Sequence, residues 1–458
     1  LNEPPHDPEN TRVRWISQQE MRFDVDESLD LAPDTGGVGA DSFAIYDVEV
    51  CNRDALPDGP CVELPNAFAT VPEPTVTVAT PDIICTAEAD VSITLTGTGF
   101  LDINGALPSV NVPTIAEPIV ADSVDEKSCT SIGPPAAGVR TCTSLVFKIP
   151  MGALEPTAAG EDPATYDVTV TNPIPTGADE PCVTTTPVVL TVVPPPAITD
   201  IQPDLLCDAE ASTSVELTGT GFLTVDGTPA TVNLDGATDD RAYTDAVASN
   251  CMNVMGPTET VQICTTLTFT VPQDAVSQDL YDVTVTNPAP PNCTSDAVKL
   301  LITDAPVISG LVPQAECAGL VSAQITVNGT FLRVDGVDPT ATFDGGPVTV
   351  SGVSGCTALA GPPDIDEAVE TCTSLLIDVP DFDAPDVTPP EPDVPQGSYD
   401  IVLTNPAPPG CSSAAIPYAV VDPPTVTSVI PTEVCEDVPR TFTITGTNFT
   451  LSSIVTLD

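Results

Sequence analysis

The chain is poor in positive charge, in histidine and in aromatic residues. Lys and Arg together number 11 against 66 Asp and Glu, a formal net charge of −55. A chain this acidic is repelled by phosphate backbones and by anionic membrane faces, which excludes nucleic acid as a partner. The shortage of basic residues also leaves few tryptic sites, as suits a protein exposed outside a cell. The one histidine, His6, lies in a Pro/Glu/Asp-rich end. Histidine-based triads and histidine metal sites are therefore excluded. No glycine-rich phosphate loop precedes a helix. With 66 acids, some carboxylate pairs arise by chance, so pairing alone does not point to glycoside hydrolysis. The chain reads as a non-enzyme with no catalytic and no cofactor-binding residues. No apolar run approaches the roughly 20 residues of a membrane span. There is no starting Met and no signal peptide, so a mature or excised segment is expected.

Aromatics make up 4% of the residues, yet hydrophobics make up 41%. Cores must then be built mostly from Val, Ile and Leu, which favours strands. The 52 prolines and 29 glycines imply many turns and few long helices. One stretch organises the rest: YDVTVTNP at 281–288, with copies YDVTVTNP at 166–173 and YDIVLTNP at 399–406 and a worn copy YDVEVCN at 46–52. Tyr281, Val283 and Val285 alternate with Asp282, Thr284 and Thr286, the period of a strand with one buried face. Asn-Pro then stops the strand, because proline cannot donate to the ladder. The copies recur every 115 to 120 residues, the length of a whole domain.

Three complete repeats occupy 74–195, 196–304 and 305–422. Each opens on a proline-bounded strand, such as PAITDIQP at 196–203. Each continues through a strand ending in a glycine turn: VELTGTGF at 215–222, ITLTGTGF at 93–100, and the shorter ITVNGTF at 325–331. A third strand (Val232, Leu234), a variable acidic loop, LTFTV at 267–271, the Tyr-Asp-Val strand and a last strand through 298–302 follow. About seven short strands per repeat, separated by turn residues, describe an all-β antiparallel sandwich.

Three elements of this pattern, the proline-bounded Ile-x-x-Ile strand at 196–203, the Thr-Gly-Thr-Gly-Phe turn at 218–222 and the Tyr-Asp-Val-Thr-Val strand, resemble the IPT/TIG family of immunoglobulin-like domains. The resemblance covers nearly the whole chain. It implies a tandem array of Ig-like sandwiches of the kind used in stalks, adhesins, receptor ectodomains and polysaccharide-binding modules, with no fixed activity. The regular cysteines depart from the plainest bacterial members.

The remaining segments are two halves of such a domain. Residues 423–458 hold a front half: a proline-bounded strand at 424–431, Cys435, ITGTNF at 444–449, then Val455 and Leu457. Residues 1–73 hold a back half, in which Met21, Phe23 and Val25 alternate as Leu267, Phe269 and Val271 do, followed by the strand with Tyr46 and Val48. Joined, the halves have the length of one repeat. A half sandwich leaves sheet edges and an apolar face bare. The expectation is a filament subunit whose 423–458 segment is completed by 1–73 of the next chain. Met21, Phe23, Val25, Tyr46, Val48, Ile444, Phe449, Val455 and Leu457 then form the assembly interface. Such head-to-tail strand addition does not close, and the chain is its own partner. Two other readings stay open: one window of a giant repetitive surface adhesin or stalk that binds glycans or cell surfaces, and a fragment with no assembly role.

Fifteen cysteines in a Thr/Pro-rich β chain indicate an oxidising, extracellular or cell-surface setting. They fall in register with the repeat: Cys85, Cys129, Cys142, Cys182; Cys207, Cys251, Cys264, Cys293; Cys317, Cys356, Cys372, Cys411. The split domain has Cys435 in first place and Cys61 in fourth and lacks the second and third together. Partners are lost together, so Cys129–Cys142, Cys251–Cys264 and Cys356–Cys372 are expected. In an Ig-like sandwich the first and fourth positions lie at opposite ends, about 20 Å apart along a six-residue strand, beyond the reach of a disulfide. Staples between successive domains, Cys85–Cys293 and Cys207–Cys411, are therefore favoured over pairs within a domain. Carried across the chain ends, Cys317 reaches Cys61 of the next chain and Cys435 reaches its Cys182. Cys51 is left over, either paired locally with Cys61 or a thiol.

Acidic loops at 24–30 and 381–386 lack the spacing of a calcium-binding hand, so solvated loops are favoured over a Ca²⁺ site and no metal residue is assigned. Asn292, Asn328 and Asn448 begin Asn-x-Ser/Thr sequons, and the Thr-rich strand faces suit O-glycans by composition. Trp15, the sole tryptophan, is read as a core residue of the half-domain rather than a platform for surface glycans.

Overall fold

The computed structural model describes residues 13–17, 19–23, 43–51, 61–85, 89–156, 163–175, 180–207, 212–237, 239–317, 324–379, 397–434, 436, 439–449 and 453–457. The acidic loops at 24–30 and 381–386, His6, Val25 and Cys435 lie outside them, as do the side chains of Trp15, Phe23 and Cys317. The fold is all-β: among the described residues the one helical turn is Glu126–Ser128. No helix among them is long and apolar enough to cross a membrane. The chain divides into two compact units, 1–194 with 255–258, and 195–254 with 259–458.

The second repeat shows the plan most plainly. One sheet runs Ala197–Gln202, Thr213–Val225, Val261–Val271, Val247–Asn253. The other runs Leu205–Cys207, Val298–Thr303, Asp279–Thr286, Thr231–Asp235, Asp240–Tyr243. In immunoglobulin lettering these are ABED and A′GFCC′, so the sandwich is Ig-like by strand order. The short Leu205–Cys207 strand joins Val298–Thr303 in parallel, while the neighbouring pairs are antiparallel. Alternation places Val215, Leu217, Leu267, Phe269, Tyr281, Val283, Val285 and Leu300 in one buried cluster. The first repeat has the same order: Thr75–Thr80, Val91–Ile103, Val139–Ile149 and Ser123–Val124 face Ile83–Ile84, Val188–Val192, Ala164–Thr171, Ser109–Asn111 and Ile119–Val120.

The third repeat departs from this plan. Where the second repeat uses two short strands, Asp240–Tyr243 and Val247–Asn253, the third has one long strand, Gly346–Ser354. That strand pairs with Thr340–Phe343 at its start and with Val369–Asp378 at its end. It thereby crosses from one sheet to the other and links them into a continuous nine-stranded sheet.

The repeated tyrosine closes a corner. Tyr281 donates its hydroxyl to the Ser277 carbonyl (2.8 Å), and Tyr166 to that of Glu155 (2.5 Å). This is the tyrosine corner of immunoglobulin-like sandwiches. The asparagine of the same motif does more than end a strand. Asn287 accepts from the Leu223 N–H (2.9 Å) and donates to the Gly221 carbonyl (2.9 Å). Asn172 does the same with Leu101 and Gly99, and Asn405 accepts from Leu332. Each is buried and ties the glycine turn of one sheet to the end of a strand in the other.

Candidate functional site

Two features go beyond a stack of sandwiches: a stapled junction and two open hairpins. The junction lies in the second unit. Cys207, at the end of Leu205–Cys207, is bonded to Cys411 of the third sandwich (Cα–Cα 6.0 Å). Beside this staple, Leu205 and Leu301 of the second sandwich pack against Leu332, Val334, Ile365 and Val369 of the third. Next to Leu205 in the chain is Asp204, 5% exposed, whose carboxylate accepts from the Asp366 N–H at 2.7 Å. In the first unit the matching aspartate, Asp82, accepts from the N–H (2.7 Å) and hydroxyl (2.6 Å) of Thr258.

Sequence patterning does not single out these aspartates. Their signal is Pro-Asp-x-x-Cys at 81–85 and 203–207, against Gln314 and Thr432 at the same place in the other two copies. A solvated carboxylate and a buried clamp look alike in a chain with 66 acids.

Glu367 faces Asp204. Burial, then its hydrogen bond to Asp204 and the charges of Asp204 and Asp335, push the Glu367 carboxyl from an ordinary 4.5 up to about 7. Its folded value is raised, so its contribution to the junction is full below about 4.5 and is lost as pH rises through about 7. The protection of the Asp366 amide, measured relative to base-catalysed intrinsic exchange, should therefore fall as pH rises through about 7, and Glu367→Gln, which keeps the neutral form, should flatten that fall. An unchanged pH profile in the Gln variant would sink the assignment.

The local disulfides sit in strand pairs. Cys129 faces Cys142, Cys251 faces Cys264, and Cys356 is bonded to Cys372, each with Cα atoms 4.0 Å apart. Cys85 and Cys293 are also disulfide-bonded. Cys61 corrects the sequence expectation of a bond to another chain. It lies opposite Cys51 across the hairpin of Ala44–Cys51 and Cys61–Thr70 and is bonded to it, Cα–Cα 4.0 Å. A hairpin partner held in register leaves no thiol for Cys317 of another chain. Among the cysteines with described side chains, Cys182 is the one free thiol. It is half-buried, and burial with the nearby Glu73 raises its pKa. The cluster of Glu49 with Cys51 and Cys61 has metal-like spacing, but its sulfurs are committed to the disulfide.

The open hairpins carry the expected interface residues. Thr425–Ile430 pairs with Thr443–Thr447 in the register of the complete sandwiches: Val426 faces Gly446 as Val76 faces Gly97 and Ile198 faces Gly219. A Cβ on Gly446 would lie 1.8 Å from the Thr425 carbonyl, as close as on Gly97, Gly219 or Gly329 at their own first strands. Thr427 donates to the Thr445 carbonyl as Thr199 does to that of Thr218. The hairpin thus has its finished backbone, yet its core face is uncovered. Phe449 is 46% exposed where Phe100 and Phe222 are 0%. Val455 and Leu457 are exposed, and Ile444 is half-buried.

In the first unit, the hairpin of Ala44–Cys51 and Cys61–Thr70 sets Tyr46 on Phe68 (centroids 5.1 Å). Tyr46 and Val48 are half-buried, but Val50 is 49% exposed where Val170 and Val285 are 0%. Met21, in Glu20–Phe23, pairs with Trp15 of Val13–Ser17 and is exposed. Of the sequon asparagines, Asn292 and Asn448 are exposed and Asn328 is half-buried within a strand.

No family model matches the sequence, and no curated protein matches it. Solved structures similar to it are multidomain chains at low identity. The Bacteroides ovatus mixed-linkage glucan utilization protein SGBP-B, in complex with a mixed-linkage heptasaccharide, is 13% identical over 86% of this chain and 76% of its own, TM-score 0.14. The FN1–FN3 domains of chicken CNTN1 are 11% identical over 73% and 95%, TM-score 0.18. The N-terminal eight Ig domains of DSCAM isoform 1.30.30 are 9% identical over 83% and 50%, TM-score 0.21. With superpositions this poor, the Ig-like assignment rests on the strand order and the tyrosine corner of this chain.

Proposed function

We propose that the chain is a structural subunit of an extracellular fibre built from TIG-type sandwiches, in which the 423–458 half-domain of one copy is completed by the 1–73 half-domain of the next. One observation carries the reading: the hairpin Thr425–Ile430 with Thr443–Thr447 has the register and bulge of a finished sandwich while Phe442 and Phe449 stand exposed at positions that are buried in the complete repeats. An apolar face of that kind marks an interface. The disulfides support an oxidising setting, and the staple Cys207–Cys411 ties the second sandwich to the third. A bond from Cys435 to Cys182 of the next copy would make the fibre covalent.

The net charge of −55 opposes contact between copies. Screening shortens the range of that repulsion to about 10 Å at 0.1 M salt, so assembly should strengthen as salt rises. Sedimentation of the 458-residue chain tests this: an open-ended series of oligomers, growing with concentration and salt, is expected. A monomer under every salt condition would overturn the proposal and favour one window of a longer chain that completes its own half-domains.

A further inference from the structure

We infer that the two half-domains meet between copies in one defined register, the register shared by the three complete sandwiches, with Val455 of one copy opposite Val50 of the next and Val434 opposite Thr70. The inference rests on the completion proposed above and names the contacts that would make it specific.

Two sets of pairings define the register. The first is antiparallel, between the third strand and the Tyr-Asp-Val strand. Val110 faces Val170, Val232 faces Val285, and Ala341 faces Leu403. Each of these partners lies four residues beyond the motif tyrosine, at Tyr166, Tyr281 and Tyr399. Four beyond Tyr46 is Val50. On the other side, VTLD at 455–458 matches VNLD at 232–235. Val455 lies six residues beyond Phe449, where Val110, Val232 and Ala341 lie ten beyond Phe100, Phe222 and Phe331, so the intervening turn is four residues shorter here; on the VTLD match Val455 takes the place of Val232 and meets Val50. Leu457 takes the place of Leu234, which faces Val283, and so meets Val48.

The second set is parallel. Two residues beyond the proline that ends the first strand, Ile83 faces Thr191, Leu205 faces Leu301, and Ala315 faces Ala419. Those partners lie one residue beyond the neighbour of the motif tyrosine, since Tyr166 faces Leu190, Tyr281 faces Leu300 and Tyr399 faces Tyr418. Tyr46 faces Phe68, so the equivalent residue is Ala69. Two beyond Pro431 is Glu433. Glu433 then pairs with Ala69 and Val434 with Thr70.

The two sets are independent, yet both bring exposed apolar side chains to a finished core. Val434, Val455, Leu457 and Val50 are all exposed in the single chain. Their counterparts at Leu206, Val232, Leu234 and Val285 are all buried. The occupant that fits is a second copy of this chain, because its own half-domain supplies the strands each hairpin lacks in the register its repeats already use.

The test uses two full-length single variants, Val50→Cys and Val455→Cys, mixed and oxidised. Both positions are exposed in the chain, so neither substitution threatens its fold. A bridge between the two introduced thiols, mapped by mass spectrometry, is expected only in the mixture. A one-residue slip turns a side chain to the opposite face, so replacing Val50→Cys with Glu49→Cys should cut the bridged yield at least about tenfold. Equal yields from the two mixtures, with oligomers still present by sedimentation, would overturn the register and leave the completion standing. Absence of both bridge and oligomers, with unmodified chain also monomeric, would overturn both.

Discussion

Replacing Phe449 with aspartate should abolish association between copies while leaving the single chain folded. Phe449 is already 46% exposed, so the isolated chain loses little. Completion would bury it where Phe100 and Phe222 are buried, against the facing sheet. Burying a Phe side chain contributes about 1.5–3 kcal/mol, and an unpaired carboxylate in that place costs several kcal/mol more. The dissociation constant should rise at least about a hundredfold, since each 1.4 kcal/mol is about a factor of ten. Sedimentation at high salt reads the loss, and far-UV circular dichroism checks the fold. The same residue type gives the contrast within one molecule. Phe222→Ala should destabilise the second sandwich itself by about 3–5 kcal/mol, because its side chain is part of a finished core. If Phe449→Asp unfolds the chain, or oligomers persist, the exposed face is not the interface.

Breaking the staple should have the largest effect on stability of any single disulfide within the second unit. Cys207 and Cys411 are 204 residues apart, whereas Cys251 and Cys264 are 13 apart. In the chain-entropy picture the long loop contributes about 5 kcal/mol and the short one about 3. The staple also holds together the apolar contact of Leu205 and Leu301 with Leu332 and Ile365, and the carboxylate clamp of Asp204. With Cys207→Ser and Cys411→Ser together, the second and third sandwiches should unfold as separate calorimetric transitions, whereas the native chain should show coupled unfolding. Cys251→Ser with Cys264→Ser should lower one transition and leave the coupling intact. Coupling that survives loss of the staple would mean that the apolar junction suffices on its own.

Much of this architecture was legible because it is local or repeated. The alternation in YDVTVTNP names a half-buried strand wherever it occurs, and its recurrence at domain-length spacing points to a repeated sandwich. The motif does not disclose every role of its residues. Asn287 reads as a strand terminator, since the residue that needs its amide, Leu223, lies 64 positions away. Cys61 reads as a fourth-position cysteine like Cys182 or Cys411, but its hairpin places it opposite Cys51, and proximity in the sheet overrides rank in the repeat. The crossing strand Gly346–Ser354 has no sequence signature that separates it from the paired short strands of its neighbours.

What the sequence determined by itself, then, was the strand period, the repeat and the composition of the core, since each depends on neighbours along the chain and on the burial of one strand face. Only the tertiary structure decided the buried roles of Asp82 and Asp204, the clamp of Asn172, Asn287 and Asn405, and the Cys51–Cys61 pairing. Those depend on which distant groups share a buried, poorly hydrated space. There an unmatched carboxylate or amide is costly and a matched one is held, a difference that composition and periodicity do not carry.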